Sequence, residues 1–226
     1  KRIKGVKRAA LAPIIPSAKK AIMVIDIGAN ADCRPEMLVQ FALMSSIYME
    51  YAESVKSPKV GLLNIGVEET KGTPLQLEAY RMLKKAPLNF IGNIEAREIP
   101  SGNCDIIVTD GFSGNIVLKL TEGVAMYLFG MVKSAFKTNA KTKLAAAMMM
   151  PQLKQLKKKM DYTEYGGAPL IGISKPVIKA HGSSDANALK NAVRQAIRYS
   201  ESGVISKIEE IMPALNEQIK TEQSVQ

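Results

Sequence analysis

Short β-branched apolar runs that end abruptly in small polar residues constrain the fold of this chain most strongly. They occupy residues 23–30, 60–66, 105–115 and 177–184, and each passes from Val, Ile or Leu into Gly, Asn, Asp or Ser. An apolar run of this kind is typical of a strand that is buried on both faces of a parallel sheet. Ligands of such sheets bind at the carboxyl ends of the strands, where helix N-termini attract anions. The pattern therefore predicts an enzyme that handles a small anionic group.

Helical signals fill the segments between these runs. Prolines that suit a first helical turn open predicted helices over residues 36–55 and 74–85. A short strand is predicted over residues 88–91, ending in the Gly-Asn pair that follows. Alternation of strands and helices predicts an α/β protein with three α/β/α layers and a doubly wound, mostly parallel sheet.

Length and composition limit the class of protein. The 226 residues, 46% of them hydrophobic and 23% charged, suit a single globular domain over residues 1–226. Cys33 and Cys104 have no CxxC spacing, which disfavours a zinc site and indicates a reducing cytosol. Residue 1 is Lys, so we expect the chain to be part of a longer protein. No uninterrupted apolar stretch approaches about 20 residues, so no membrane span is predicted.

Positive charge is concentrated in one segment. The net charge is +10, and residues 123–160 contain eight Lys but no Asp or Glu. We predict a basic helical hairpin there, inserted as an arm and broken at Pro151. Such a block favours an acidic protein or an anionic membrane, although a solvated basic surface or a hairpin that packs in a dimer are alternatives. Nucleic acid is not predicted, because Trp is absent and aromatic residues make up only 5% of the chain.

The segment Asp-Gly-Phe-Ser-Gly-Asn at residues 110–115 is the sharpest local signal. Its two glycines and the helix that follows could hold a phosphate on free backbone N–H groups, with Lys119 one turn further on. A tight turn in which Asp110 caps the helix is the alternative. The segment matches neither a dinucleotide-binding nor a P-loop pattern.

Other candidate residues follow the remaining strands. Lys71 would lie in a loop at the sheet's carboxyl edge and pair with a phosphate oxygen, or be an ordinary exposed lysine. His181, the only histidine, precedes a predicted helix cap and could donate to a phosphate or thioester oxygen, or serve a structural role. Residues 165–169, Tyr-Gly-Gly-Ala-Pro, form either a loop that offers N–H groups to an oxyanion or a structural turn.

Ordered motifs along nearly the whole chain carry a family resemblance. They are Asp-Ile-Gly-Ala-Asn at 26–30, Leu-Asn-Ile-Gly-Val-Glu at 63–68, Asn-Phe-Ile-Gly-Asn-Ile-Glu-Ala-Arg at 89–97, residues 110–115, Tyr-Gly-Gly-Ala-Pro-Leu at 165–170 and His-Gly-Ser-Ser at 181–184. This series resembles the bacterial acyl-acyl-carrier-protein:phosphate acyltransferases of phospholipid synthesis, the PlsX family.

The resemblance implies a reaction, a fold and partners. A long-chain acyl group would pass from acyl carrier protein to inorganic phosphate, giving an acyl phosphate, without a metal or organic cofactor. The fold would resemble the phosphotransacetylases and the isocitrate and isopropylmalate dehydrogenases, and the protein would be a cytoplasmic homodimer. An anionic membrane surface and a downstream glycerol-3-phosphate acyltransferase are further expected partners. Family members are longer, and their amino-terminal third is absent here.

We therefore predict a site at the sheet's carboxyl edge. The predicted catalytic residues are Lys71, Asn115 and His181. The predicted substrate-binding residues are Asn30, Asn64, Gly111, Ser113, Gly114, Lys119, Gly166, Gly167 and Ser183. Alternatives are a phosphotransacetylase that uses an acyl-coenzyme A and a membrane-associated scaffold without catalysis, which would leave the Gly/Asn-rich strand ends without a purpose.

Overall fold

Two sheets and six helices form the part of the chain that the computed structural model describes, residues 1–160, 166–180, 182 and 184–223. The strands are β1 (Ala10–Leu11), β2 (Ile14–Ile15), β3 (Ile22–Ile25), β4 (Val60–Asn64), β5 (Phe90–Glu95), β6 (Ile106–Val108), β7 (Ala168–Ile171) and β8 (Ile178–Lys179). The α-helices are α1 (Pro35–Tyr51), α2 (Pro74–Lys85), α3 (Gly111–Lys137), α4 (Ala140–Met160), α5 (Ala186–Glu201) and α6 (Val204–Gln223), and a 3₁₀ helix spans Ala96–Ser101.

The central sheet has the order β2-β3-β6-β4-β5. Strands β3, β6, β4 and β5 are parallel, and only β2 runs antiparallel, to β3. A second, antiparallel sheet has the order β1-β7-β8. The predicted α/β fold with a mostly parallel sheet is confirmed. The apolar run at 177–184 is an exception, because its strand β8 pairs antiparallel with β7 in the second sheet and is not buried on both faces.

Strand side chains alternate between two hydrophobic clusters, one on each face of the central sheet. On β3, Met23 and Ile25 pack with α1, α2 and α6, whereas Ile22 and Val24 pack with the 3₁₀ helix and with Val117 of α3. This alternation follows from the two-residue period of a strand. Helix α1 is buried on most of its surface because α2 and α6 cover the side that does not face the sheet.

Three predicted boundaries are wrong. Helix α1 ends at Tyr51 instead of residue 55, and Ser54 beyond it adopts φ +59°. Strand β5 continues through Gly92 and Asn93 instead of ending there, because its pairing with β4 extends to Glu95. The hairpin breaks between α3 and α4 at residues 138–139, and Pro151 lies inside α4. Asn139 and Thr142 cap each other's backbone N–H groups at 3.0 and 3.1 Å, which starts α4 at that point.

Two helices, α5 and α6, follow β8. Asp185 accepts from the backbone N–H of Ala188 at 2.8 Å and starts α5, in agreement with the helix cap predicted after His181. Gly203 at φ +76° then turns the chain into α6, whose Ile208 and Met212 are buried in the cluster with α1.

Candidate active site

A cleft of about 380 Å³ lies where the two sheets meet the start of α3. Its wall combines the ends of β1 and β2, the loop after β3, the first three turns of α3, and the segments 166–168 and 179–180. The carboxyl end of β3 and the N-terminus of α3 therefore lie at the same place, as the strand pattern predicts.

Asp26 organises the loop after β3. This fully buried carboxylate accepts backbone N–H groups of Leu11 at 3.1 Å, Gly28 at 3.3 Å, Ala29 at 3.0 Å and Asn30 at 2.7 Å. Its oxygens thereby join the second sheet, through β1, to the loop that lines the cleft. Several donors compensate the cost of burying the charge.

The Asn30 side chain is committed to the same network. Its Nδ2 donates to Asp26 at 2.9 Å and to the Ala9 carbonyl oxygen at 2.8 Å. Asn30 is not part of the cleft wall, although its neighbours Gly28 and Ala31 are. Asn30 shapes the loop in this structure, and direct substrate contact stays a prediction.

The N-terminus of α3 is held against this loop. Asp110 accepts from the backbone N–H and the hydroxyl of Ser113, both at 2.8 Å, and Gly111 donates its N–H to the Asn30 carbonyl oxygen at 2.8 Å. A Cβ on Gly111 would lie 2.5 Å from that oxygen, and one on Gly114 would collide with the backbone of Asp26. The structure thus has the Asp110 cap, and a phosphate on the Ser113 N–H would have to displace it.

The cleft wall includes four residues with charged or amide side chains. Asn115, Lys119, Glu122 and Lys179 all line it, and Lys119 Nζ lies 3.0 Å from Glu122 Oε2. No ion pair involves Lys179 within the described ranges. Lysine and amide side chains are donors of the kind that bind phosphate oxygens.

The rest of the wall is apolar. Pro13, Ile14, Ile15, Ile27 and Leu118 line it, and Phe112, 64% exposed, lies at its rim. A cleft with an apolar wall and a small set of charged groups fits a ligand that has both a hydrocarbon part and an anionic part.

Predicted site residues fall into three groups. The cleft brings together Gly111, Asn115, Lys119, Gly166 and Gly167. Asn30, Asn64, Lys71, Ser113 and Gly114 are outside its wall. His181 and Ser183 lie outside the described residues.

Two of the residues outside the cleft wall, Asn64 and Lys71, lie at the end of β4 and in the loop that leads to α2. Asn64 is buried and uses its side chain within the loop, donating to the Lys71 carbonyl oxygen at 3.0 Å and accepting from the Ile65 N–H at 2.8 Å. The Lys71 side chain is exposed at the sheet's carboxyl edge. Their roles toward substrate stay predictions.

Sequence reasoning missed Lys179, Glu122 and Asp26. Lys179 lies where the apolar run at 177–184 passes into small polar residues, and this position could have identified it. Glu122 could have been found from its helical spacing to Lys119. Asp26 begins the Asp-Ile-Gly-Ala-Asn motif at 26–30, but its burial depends on contacts with β1, which the sequence does not reveal.

Cys33, which lies between β3 and α1, is not an activated nucleophile. Burial raises the pKa of its thiol to about 11, and its Sγ lies 3.5 Å from the Asn30 carbonyl oxygen. Burial likewise raises the pKa of Cys104 to about 11. A thiol with such a pKa is almost wholly protonated at neutral pH. Over the described ranges no group of three or more His, Cys, Asp or Glu could hold a metal ion.

The outer part of α3 and α4, residues 123–160, forms an exposed arm. Apolar side chains lie exposed along it, among them Met126, Tyr127, Met131, Leu144 and Met148. Among the described helices only α3 is long and apolar enough to cross a membrane. Length and composition alone are weak evidence for a span, and the start of α3 is packed on the sheet.

Comparison with known proteins identifies the family. A model of the family described as "Fatty acid synthesis protein" matches residues 1–207. The chain is 53% identical over 216 residues to a phosphate acyltransferase of Alkaliphilus oremlandii and 51% identical over 209 residues to one of Clostridium tetani. These matches cover 96% and 92% of the chain but only 64% and 63% of the relatives.

Solved structures agree on the fold. A phosphotransacetylase from Streptococcus pyogenes superposes with a TM-score of 0.57 over 88% of this chain and 56% of that protein, at 15% identity. A branched-chain phosphotransacylase from Enterococcus faecalis superposes with a TM-score of 0.54 over 86% of this chain and 63% of that protein, also at 15% identity. At this identity the likeness concerns the fold alone.

Proposed function

Because the chain belongs to the fatty acid synthesis protein family, we propose that the full-length protein is a phosphate acyltransferase. It would transfer a long-chain acyl group from acyl carrier protein to inorganic phosphate and release an acyl phosphate for phospholipid synthesis. The observation that carries the proposal is one cleft with an apolar wall and Asn115, Lys119 and Lys179 together.

The chemistry needs placement more than a protein nucleophile. A phosphate oxygen attacks the thioester carbonyl carbon and forms a tetrahedral oxyanion. The carbon–sulfur bond then breaks, the acyl phosphate leaves, and the departing thiolate takes up a proton. Holding the two reactants together and stabilising the oxyanion are the main tasks of the protein.

Individual roles follow from position. Lys119 and Lys179 would bind phosphate, for which Lys119 exchanges its pairing with Glu122. Asn115, which lies close to Gly28 in the cleft wall, would donate to phosphate or the oxyanion. Lys71 would contact phosphate or the oxyanion, and His181 would either donate a hydrogen bond or protonate the leaving thiolate.

Kinetics on single variants test these roles. Asn115→Ala and Lys119→Ala should each lower kcat/KM on the order of 100-fold, because each removes a donor to phosphate or to the oxyanion. Lys71→Ala tests whether a lysine outside the cleft wall takes part. Lys190→Ala on α5, which removes an exposed lysine elsewhere, is the control and should leave kcat/KM unchanged. Near-normal turnover of folded Asn115→Ala and Lys119→Ala would contradict the site.

The acyl donor is the finer part of the proposal. Carrier proteins are acidic, and the arm has exposed lysines at 133, 137, 141, 143 and 154 without a carboxylate between residues 123 and 160. Opposite charges speed association, so acyl carrier protein is favoured. An acyl-coenzyme A donor is the second candidate, because phosphotransacetylases share the fold. Comparison of kcat/KM for the two donors, at low and at physiological salt, distinguishes them.

The arm also fits a peripheral membrane contact. Its exposed apolar residues could enter a lipid interface while its lysines meet anionic headgroups. In this proposal the protein is cytoplasmic, and residues 123–160 are an arm on one α/β domain that passes acyl phosphate to a membrane glycerol-3-phosphate acyltransferase. Flotation with anionic vesicles should depend on residues 123–160, and recruitment that survives their deletion would contradict the contact.

We also propose a homodimer. Helix α5 exposes Leu189, Val193 and Ile197 at i, i+4 and i+8, in a stripe beside its buried side. An apolar stripe of this kind is suited to burial against a second copy. Sedimentation of the full-length protein and its Val193→Glu variant would test this, and a dimer unaffected by Val193→Glu would exclude the α5 stripe as the interface.

A further inference from the structure

Gln195 on α5 links the glycine wall of the cleft to α1. Its side chain is 1% exposed. The Oε1 atom accepts the backbone N–H of Gly167 at 2.9 Å, and the Nε2 atom donates to the Tyr48 hydroxyl at 3.3 Å. A buried polar side chain satisfied at both ends fixes the groups that it joins.

The wall segment itself has little freedom. Gly166 adopts φ +102°, and a Cβ there would lie 2.7 Å from Gln195 Oε1. A Cβ on Gly167 would lie 2.6 Å from the Lys179 carbonyl oxygen of β8. The two glycines are therefore held between α5 and β8, and Gly166, Gly167 and Lys179 all face the same cleft.

We propose that Gln195 is a positioning residue for acyl transfer, an inference that rests on the proposed function. Because the Gly167 N–H is bound to Gln195, it is not free for the oxyanion. Residues 166 and 167 instead fix the position of the cleft wall beside Lys179, and the thioester lies against this part of the wall. A shift of about 1 Å in such a wall can cost on the order of 100-fold in rate.

Two variants separate this role from a general loss of stability. Gln195→Met keeps the shape of the side chain but removes both hydrogen bonds. Tyr48→Phe is the matched control, because it removes the partner at the other end of the network and leaves Gly167 bound. If Gln195→Met fails to fold, Gln195→Asn withdraws the acceptor from Gly167 while keeping an amide.

Hydrogen exchange on the full-length protein tests the position without reference to catalysis. In Gln195→Met the Gly167 amide should exchange roughly tenfold faster or more, because its opening no longer breaks a hydrogen bond, while the β7 amide of Ile171 is unchanged. Tyr48→Phe should leave Gly167 protected. Unchanged exchange at Gly167 in Gln195→Met would overturn the inference, whatever the enzyme's activity.

Steady-state kinetics then test the link to the reaction. Gln195→Met should lower kcat roughly tenfold with the KM for acyl-acyl carrier protein within about twofold, since placement rather than affinity is lost. Tyr48→Phe should keep both constants. Equal losses in the two variants, or a normal kcat in Gln195→Met, would overturn the positioning role. A wild-type protein without phosphate-dependent acyl transfer would instead overturn the proposed function.

Discussion

Glycine residues have different surroundings in the first turn of α3 and in its outer part. At the start of the helix, Gly111 and Gly114 lie against the backbone of Asn30 and Asp26, with no room for a Cβ. Further along, Gly123 and Gly130 have no neighbouring atom within 4 Å of where a Cβ would be. The first pair makes α3 part of the cleft, whereas the second lies on a helix that stands away from the core.

The burial of side chains also differs between the start of α3 and its outer part. Gly111 and Gly114 are the only buried residues of α3, and apolar side chains such as Tyr127, 68% exposed, lie open on the arm. Tight packing at one end suits precise placement of substrates, and exposed apolar surface at the other end suits a partner or an interface. Four predictions test this contrast.

The largest effect is expected for Gly114→Ala. The added methyl group meets the Asp26 carbonyl oxygen, a backbone atom that can move only if the loop after β3 moves with it. We expect a loss of about 3 kcal/mol or more in the free energy of unfolding, at the upper end of overpacking effects. Chemical denaturation measures it. A loss below about 1 kcal/mol would mean that the helix start is not packed as described.

Asp110→Ala should have the next largest effect. It removes the acceptor for the Ser113 N–H and hydroxyl at the N-terminus of α3. Loss of such a cap typically costs about 1 kcal/mol, up to about 2 kcal/mol. Asp110→Asn is the control, because an amide oxygen still accepts the N–H, and it should restore most of the stability to thermal unfolding.

Gly130→Ala on the arm should act in the opposite direction. With no atom to collide with, the methyl group only reduces the freedom of the unfolded chain and favours the helix, for a gain of about 0.5–1 kcal/mol. It is the matched partner of Gly114→Ala within one helix. A destabilised Gly130→Ala would show that the arm is packed against another surface in solution.

Charge reversal on the arm should have the smallest effect on the folded protein. Lys133→Glu and Lys137→Glu change exposed side chains, so the unfolding curve should stay the same. Association with an acidic carrier protein should slow severalfold at low salt and converge with wild type at high salt. Stopped-flow binding measures this, and rates that do not depend on charge would exclude the arm as the carrier-protein surface.

The strand pattern predicted most of the fold because a strand buried on both faces leaves a short-range signal. Apolar runs ending in Gly or Asn placed β3, β4 and β6, and Pro74 marked the start of α2 correctly. The sequence pattern predicts a wrong boundary where a local preference is weaker than a nearby helix cap. Pro151 predicts a break, but the Asn139–Thr142 cap determines where the hairpin turns.

The candidate site was harder to predict because it depends on contacts between distant parts of the chain. The glycines at 111 and 114 mark the strand end that borders the cleft. Glycine is needed there because the backbone of residues 26–30, more than 80 positions away in the sequence, leaves no room for a Cβ. Gln195 carried no sequence signal, since its partners lie on α1 and beside β7. Short-range patterns locate a strand end, whereas long-range packing determines which groups face the cleft.

Product formation tests the central claim most directly. Full-length protein is mixed with a long-chain acyl-acyl carrier protein and inorganic phosphate, and phosphorus NMR and a thiol assay follow the reaction together. Our account predicts an acyl phosphate resonance that grows in step with free carrier-protein thiol and is lost in Lys119→Ala. Thiol release without acyl phosphate, or at a rate independent of phosphate, would contradict it.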